Sequence, residues 1–96
     1  MNHLEVIKNE LKALKPELSE RFSVSDIGLF GSITRADFND ASDVDIIVDF
    51  TQPIGIEFID LADFLETNIK RKVDLISKNG LKANFYAKIE KEIQYV

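Results

Sequence analysis

The sequence predicts an α/β domain, a small mixed β-sheet flanked by helices. Three observations predict it. Apolar residues recur at three- and four-residue steps near both ends and in the middle of the chain, the period of amphipathic helices. Short runs rich in Val, Ile and Leu lie between those segments, and Gly, Pro and Asn punctuate the joins. The chain has 96 residues, 45% apolar and 30% charged, which suits one domain over residues 1–96 with a single layered core.

The elements follow in order. Leu4, Ile7, Leu11, Leu14 and Leu18 form one helix face, with Lys8, Glu10, Lys12 and Lys15 on the others. Pro16 cannot donate an interior helix hydrogen bond, so a break is expected near Lys15, followed by a short second piece ending near Arg21. Val24 to Phe30 is a buried strand delivering its end to Gly31, and Ser32 to Ala36 has room for about one helical turn. Asp43 to Phe50 resumes strand character and should be central. After the loop containing Pro53, the stripe Ile56, Ile59, Leu61, Phe64, Leu65 and Ile69 predicts a helix from about Gly55 to Ile69. Lys72 to Ser77 is a third strand, and Leu81, Phe85, Ile89 and Ile93 step by four along a last helix. Phe58, Phe64, Phe85, Tyr86 and Tyr95 are expected in the core.

Composition excludes several kinds of chemistry. A net charge of −5 argues against direct nucleic-acid binding, which draws its affinity from many Lys and Arg contacts to phosphates. Without cysteine there are neither disulfides nor thiolate metal sites, and His3 alone cannot build a histidine-rich zinc centre or a Ser-His-Asp system. Any intrinsic metal site must therefore be made of carboxylates. No apolar run approaches the roughly 20 residues that span a bilayer, so no membrane association is expected. The N-terminal stretch lacks the apolar core of a signal peptide, so the cytoplasm is the expected location.

The chemistry-bearing stretch runs from Gly31 to Phe50. Asp43 and Asp45 are two apart on a strand, so they point the same way, about 7 Å apart at roughly 3.3 Å per residue, and their carboxylates can converge on one ion. In Lys72-Val73-Asp74-Leu75-Ile76 a single acid interrupts an apolar series, and a neighbouring strand would bring Asp74 beside the first pair as a third magnesium ligand. Gly31 permits close backbone approach, and Ser32 offers its hydroxyl and the N–H groups of the following turn to phosphate oxygens. Arg35 lies on about the same face of that turn and can reach a phosphate or orient an acid. The plainer alternatives are solvated strand ends for the acids, a capped turn for Gly31-Ser32 and a structural ion pair for Arg35. Asp37, Asp40 and Asp49 are taken as solvated charges, and Lys70-Arg71-Lys72 as a solvated helix end.

Gly31-Ser32, Asp43-Val44-Asp45 and the later Asp74 together resemble the nucleotidyltransferase superfamily typified by DNA polymerase β, most closely its minimal nucleotidyltransferase (MNT) branch. The similarity covers nearly the whole chain, including the closing Ile-x-x-Glu-Ile-x-Tyr-Val segment. It implies the nucleotidyltransferase fold and a magnesium-dependent enzyme that uses two metal ions and ATP. Members are often antitoxins paired with a helical HEPN-domain ribonuclease toxin, and some transfer AMP to a tyrosine hydroxyl of that toxin. In that picture Asp43 and Asp45 bind both ions, Asp74 binds the one that activates the acceptor, and Gly31, Ser32 and Arg35 serve the triphosphate. The family turn is usually Gly-Ser-x-Ala-Arg-Gly, whereas this chain has Ala36 at the last position, where a left-handed backbone would cost about 1 kcal/mol. The rival expectation is a non-catalytic antitoxin that neutralises its partner by stoichiometric binding. Transfer to a small molecule or to RNA is a third option, for which so short a chain leaves no acceptor domain.

Overall fold

The computed structural model describes residues 2–96. Helix α1 (His3–Phe22) leads into β1 (Val24–Phe30), a 3-10 turn (Gly31–Thr34), β2 (Val44–Phe50), α2 (Glu57–Ile69) and β3 (Val73–Ser77). A second 3-10 turn (Lys78–Gly80), α3 (Ala83–Ile89), a third 3-10 turn (Glu90–Glu92) and β4 (Gln94–Tyr95) follow. The four strands form one sheet in the order β3-β2-β1-β4. The β2–β3 pair is parallel and the others antiparallel, so the sheet is mixed and β2 lies inside it, as expected.

Alternation along the strands divides the core in two. Val44, Ile46 and Val48 of β2 join Ile7, Leu11 and Leu18 of α1 and Leu61, Leu65 and Ile69 of α2 in the larger cluster. Leu11, Leu61 and Leu65 are fully buried, each contributing about 1.5–3 kcal/mol. Ile47 points to the other face, where Phe30 and Ile89 form a smaller cluster with Ile76, Leu81, Tyr86 and Ile93 against it. One extra residue on β1 between Val24 and Asp26 makes a bulge, which lets Val24 and Ile27 both reach the larger cluster despite their odd spacing.

The structure corrects the sequence reading in several places. Helix α1 runs through Pro16 without a break. The missing N–H and the ring's clash cost roughly 3 kcal/mol. Pro16 is exposed, however, and the buried Leu11 and Leu18 on either side hold the helix on the sheet. The Asn2 side chain accepts from the Glu5 N–H at 2.9 Å, capping the helix start.

The closing segment also differs. Helix α3 stops at Ile89, and Gln94-Tyr95 forms a strand that pairs with Leu29 and Gly28 of β1. The open edge of β1 needs hydrogen-bond partners, and that demand overrides the helical spacing of Ile89 and Ile93. Gly28 admits the new strand, because a Cβ there would lie 2.8 Å from Ile93 Cγ2 and 3.3 Å from the Gln94 carbonyl oxygen. Phe85 and Tyr95, expected in the core, are 43% and 47% exposed. Among the described residues no helix is long and apolar enough to cross a membrane.

Candidate active site

Asp45 shares a face with Ile47, and Asp74 shares one with Ile76, by the two-residue alternation of their strands. Asp45 and Asp74 are paired in the parallel β2–β3 register, one strand spacing apart, at about 4.8 Å. Asp43 lies on the same face by alternation, one residue before β2 rather than within it as the sequence suggested. The topology thus brings all three acids to one end of one sheet face, where Asp43 and Asp74 are exposed and Asp45 is half-buried.

Like charge dominates around Asp45. The Asp45 carboxyl is pushed up from 3.8 to about 6, first by burial and then by the neighbouring Asp74 and Asp43; Glu92 adds to the rise and Arg35 opposes it. The side chains do not close into a ready metal-ligand cluster of three or more among the described residues. The strand register and the influence of Asp74 and Asp43 on Asp45 place the acids near one another. The donor set is all hard oxygen, and it carries negative charge that a divalent cation would relieve, so these residues fit magnesium.

The turn after β1 closes against Asp45. Gly31 has φ +76°, and a Cβ there would fall 2.1 Å from Asp45 Oδ2, so only glycine lets the backbone lie on that carboxylate. The Thr34 hydroxyl donates to the Gly31 carbonyl at 2.7 Å, and the Arg35 N–H donates to the Ser32 carbonyl at 2.9 Å. Those bonds hold the partly buried Ser32 in a tight turn beside Asp45. Ala36 is not left-handed: among the described residues the only non-glycine positions with positive φ are Ser23 and Lys70. The strain expected of Ala36 is therefore absent.

Arg35 forms ion pairs with Asp37 at 3.5 Å and Glu92 at 3.3 Å, and its charge also reaches Asp45. Glu92 is the residue that the sequence did not flag. One of its oxygens accepts from the Gly31 N–H at 3.0 Å and the other from Arg35 Nη1. No spacing rule connects positions 61 apart in sequence, and the only available signal was the closing Glu-Ile-x-Tyr-Val pattern. Of the basic cluster, Arg71 is tied to Asp40 at 3.3 Å over the Phe38 ring, while Lys70 and Lys72 line a shallow pocket with Ser42 and Asp43.

A glycine-serine turn packed on a strand carboxylate is the centre of this arrangement, and the chain belongs to the nucleotidyltransferase domain family, whose model matches residues 11–96. Within it the chain is a nucleotidyltransferase of the minimal type. It is 44% identical to the protein adenylyltransferase MntA of Thermococcus cleftensis, over 97% of this chain and 95% of that protein. Its fold matches the solved structure of a candidate minimal nucleotidyltransferase with a TM-score of 0.80 at 25% identity, covering 98% of this chain and 95% of the other. A second solved structure, a tri-AMPylated Shewanella oneidensis HEPN toxin in complex with MNT antitoxin, matches with a TM-score of 0.64 at 21% identity, over 92% of this chain and 68% of the other.

Proposed function

We propose that this nucleotidyltransferase transfers AMP from ATP to a tyrosine hydroxyl of a HEPN-domain ribonuclease toxin, the tyrosine oxygen bonding to the α-phosphorus as pyrophosphate leaves, and so acts as its antitoxin in the cytoplasm. The observation that carries the reading is the in-register pair Asp45 and Asp74 against the Gly31 backbone. The likeness to a protein adenylyltransferase over nearly the full chain supports AMP and a protein acceptor, and the HEPN–MNT complex of the same fold supports the partner class. All the described strands form one sheet, which supports reading residues 1–96 as one domain.

Asp43, Asp45 and Asp74 would hold magnesium, which when bound neutralises the triphosphate and lowers the pKa of the acceptor hydroxyl. Asp45, already half-buried and crowded by its neighbours, gives up its proton most readily when a cation sits beside it. Gly31 lets the turn lie directly on the Asp45 carboxylate, so a phosphate on a metal held there would meet the turn, where Ser32 would contribute a hydroxyl donor and Arg35 a cationic donor at the rim. The acids lie at one end of a sheet face, with Asp43 and Asp74 exposed, which suits an acceptor presented by another protein.

The test is to incubate the purified chain with magnesium, labelled ATP and its cognate partner, and to follow the partner's intact mass. AMP-sized additions on a partner tyrosine, lost in the Asp43→Asn, Asp45→Asn double variant, are expected. An unmodified partner, neutralised only at equal stoichiometry, would establish the non-catalytic binder instead.

A further inference from the structure

The Glu92 carboxylate bridges the two ends of the turn that carries Gly31 and Ser32. Oε1 accepts from the Gly31 N–H at 3.0 Å, and Oε2 takes Arg35 Nη1 at 3.3 Å, while Asp37 holds Arg35 Nε from the other side at 3.5 Å. Glu92 is held in place from behind. Ile93, the next residue, packs on the smaller core cluster, and Gln94 and Tyr95 pair with β1 one strand away from β2. The side chain is 31% exposed, so its charge is only partly screened.

Arg35 faces two sets of acids. Its positive charge acts on Asp45, and an unrestrained guanidinium beside three carboxylates would pair with them and compete with any cation they bind. We propose that Glu92 is a positioning residue for the nucleotide site: it fixes the first residue of the phosphate turn and draws Arg35 away from Asp45, leaving that carboxylate for the metal-bound triphosphate. The inference rests on the nucleotidyltransferase reading of the site given above. It also gives β4 a task, since its pairing with β1 anchors the preceding 3-10 turn that carries Glu92.

The experiment uses the whole chain and two readouts apart from activity: the Kd for Mn²⁺ and the Kd for magnesium-ATP. Glu92→Gln keeps the side-chain shape and an acceptor for the Gly31 N–H but removes the charge that pairs with Arg35 Nη1, freeing that end of the guanidinium while Asp37 still meets Nε. It should weaken Mn²⁺ binding roughly fivefold, the scale of a partly exposed charge pair. Adding Arg35→Gln to it should restore Mn²⁺ affinity to within about twofold of the unaltered chain, because the released cation is then gone. Glu90→Gln, an equal charge change two residues away and without the Arg35 contact, should leave both constants unchanged.

Three results would overturn the proposal. Glu92→Gln could bind as the unaltered chain does; it could bind magnesium-ATP more tightly, which would make Glu92 a competitor for the Gly31 N–H; or the double variant could stay as weak as the single one. Failure of the underlying reading looks different. There the unaltered chain itself binds neither probe, or Asp45→Asn binds both as well as the unaltered chain does.

Discussion

Asp45→Asn keeps the size of the side chain and removes the charge that burial and two neighbouring acids oppose. The folded-state carboxyl is pushed up from 3.8 to about 6, so between about pH 4 and 6 the folded chain holds a proton that the unfolded chain releases. Stability therefore falls as pH rises through this window, and the penalty is fully present above it. Fully transmitted, the shift is worth about 3 kcal/mol. Asp45 is only half-buried, and solvent screening reduces the expected gain from Asn at pH 7.5 to about 1 kcal/mol. In a chain of this size that raises Tm by about 4–8 °C. The assay is thermal and urea denaturation of both proteins from pH 4 to 8 with a chelator present. The stability difference should shrink as pH falls through 6 and nearly vanish at 4. Repeating the pH 7.5 series with millimolar Mg²⁺ should stabilise the Asp45 protein and reduce the difference, as expected for a ligand that binds only the folded carboxylates. An Asn variant less stable than the unaltered chain at pH 7.5 without divalent ions, or a difference independent of pH, would refute the argument.

Two further outcomes are expected. Gly31→Ala places a Cβ 2.1 Å from Asp45 Oδ2 at φ +76°, so it should cost at least about 1–2 kcal/mol in urea denaturation and weaken magnesium-ATP binding by displacing Asp45. Pro16→Ala restores a donor and relieves a clash in the exposed middle of α1, so it should raise stability by about 1–3 kcal/mol while leaving magnesium-ATP affinity unchanged in calorimetry.

The parts of this fold that depend on near neighbours were legible in the sequence. β1 has the limits that the apolar run Val24–Phe30 indicates, because strand burial and the following glycine are local signals. The stripe through Leu61, Leu65 and Ile69 indicates α2, since its apolar residues repeat at the period of the helix they form. Asp43 and Asp45 share a face for the same kind of reason. Asp74 could be nominated because an acid in an apolar run is conspicuous, and the parallel β2–β3 register sets it beside Asp45.

Where distant groups compete, local pattern was insufficient. Pro16 marks a break by its own chemistry, but the burial of Leu11 and Leu18 against the sheet keeps α1 continuous. Gln94 and Tyr95 are too few to show an alternation, and they form a strand because β1 has an open edge and Gly28 leaves room there. Ala36 would be strained only in a left-handed turn, and the turn closes through Gly31, Thr34 and Arg35 without needing one. The sequence by itself determined the acids, the glycine-serine turn and the helices that cover one sheet face, because each is written in residues a few positions apart. Only the tertiary structure decided that Glu92 meets Gly31 and Arg35, because sheet pairing joins the two ends of the chain through hydrogen bonds that no local spacing encodes.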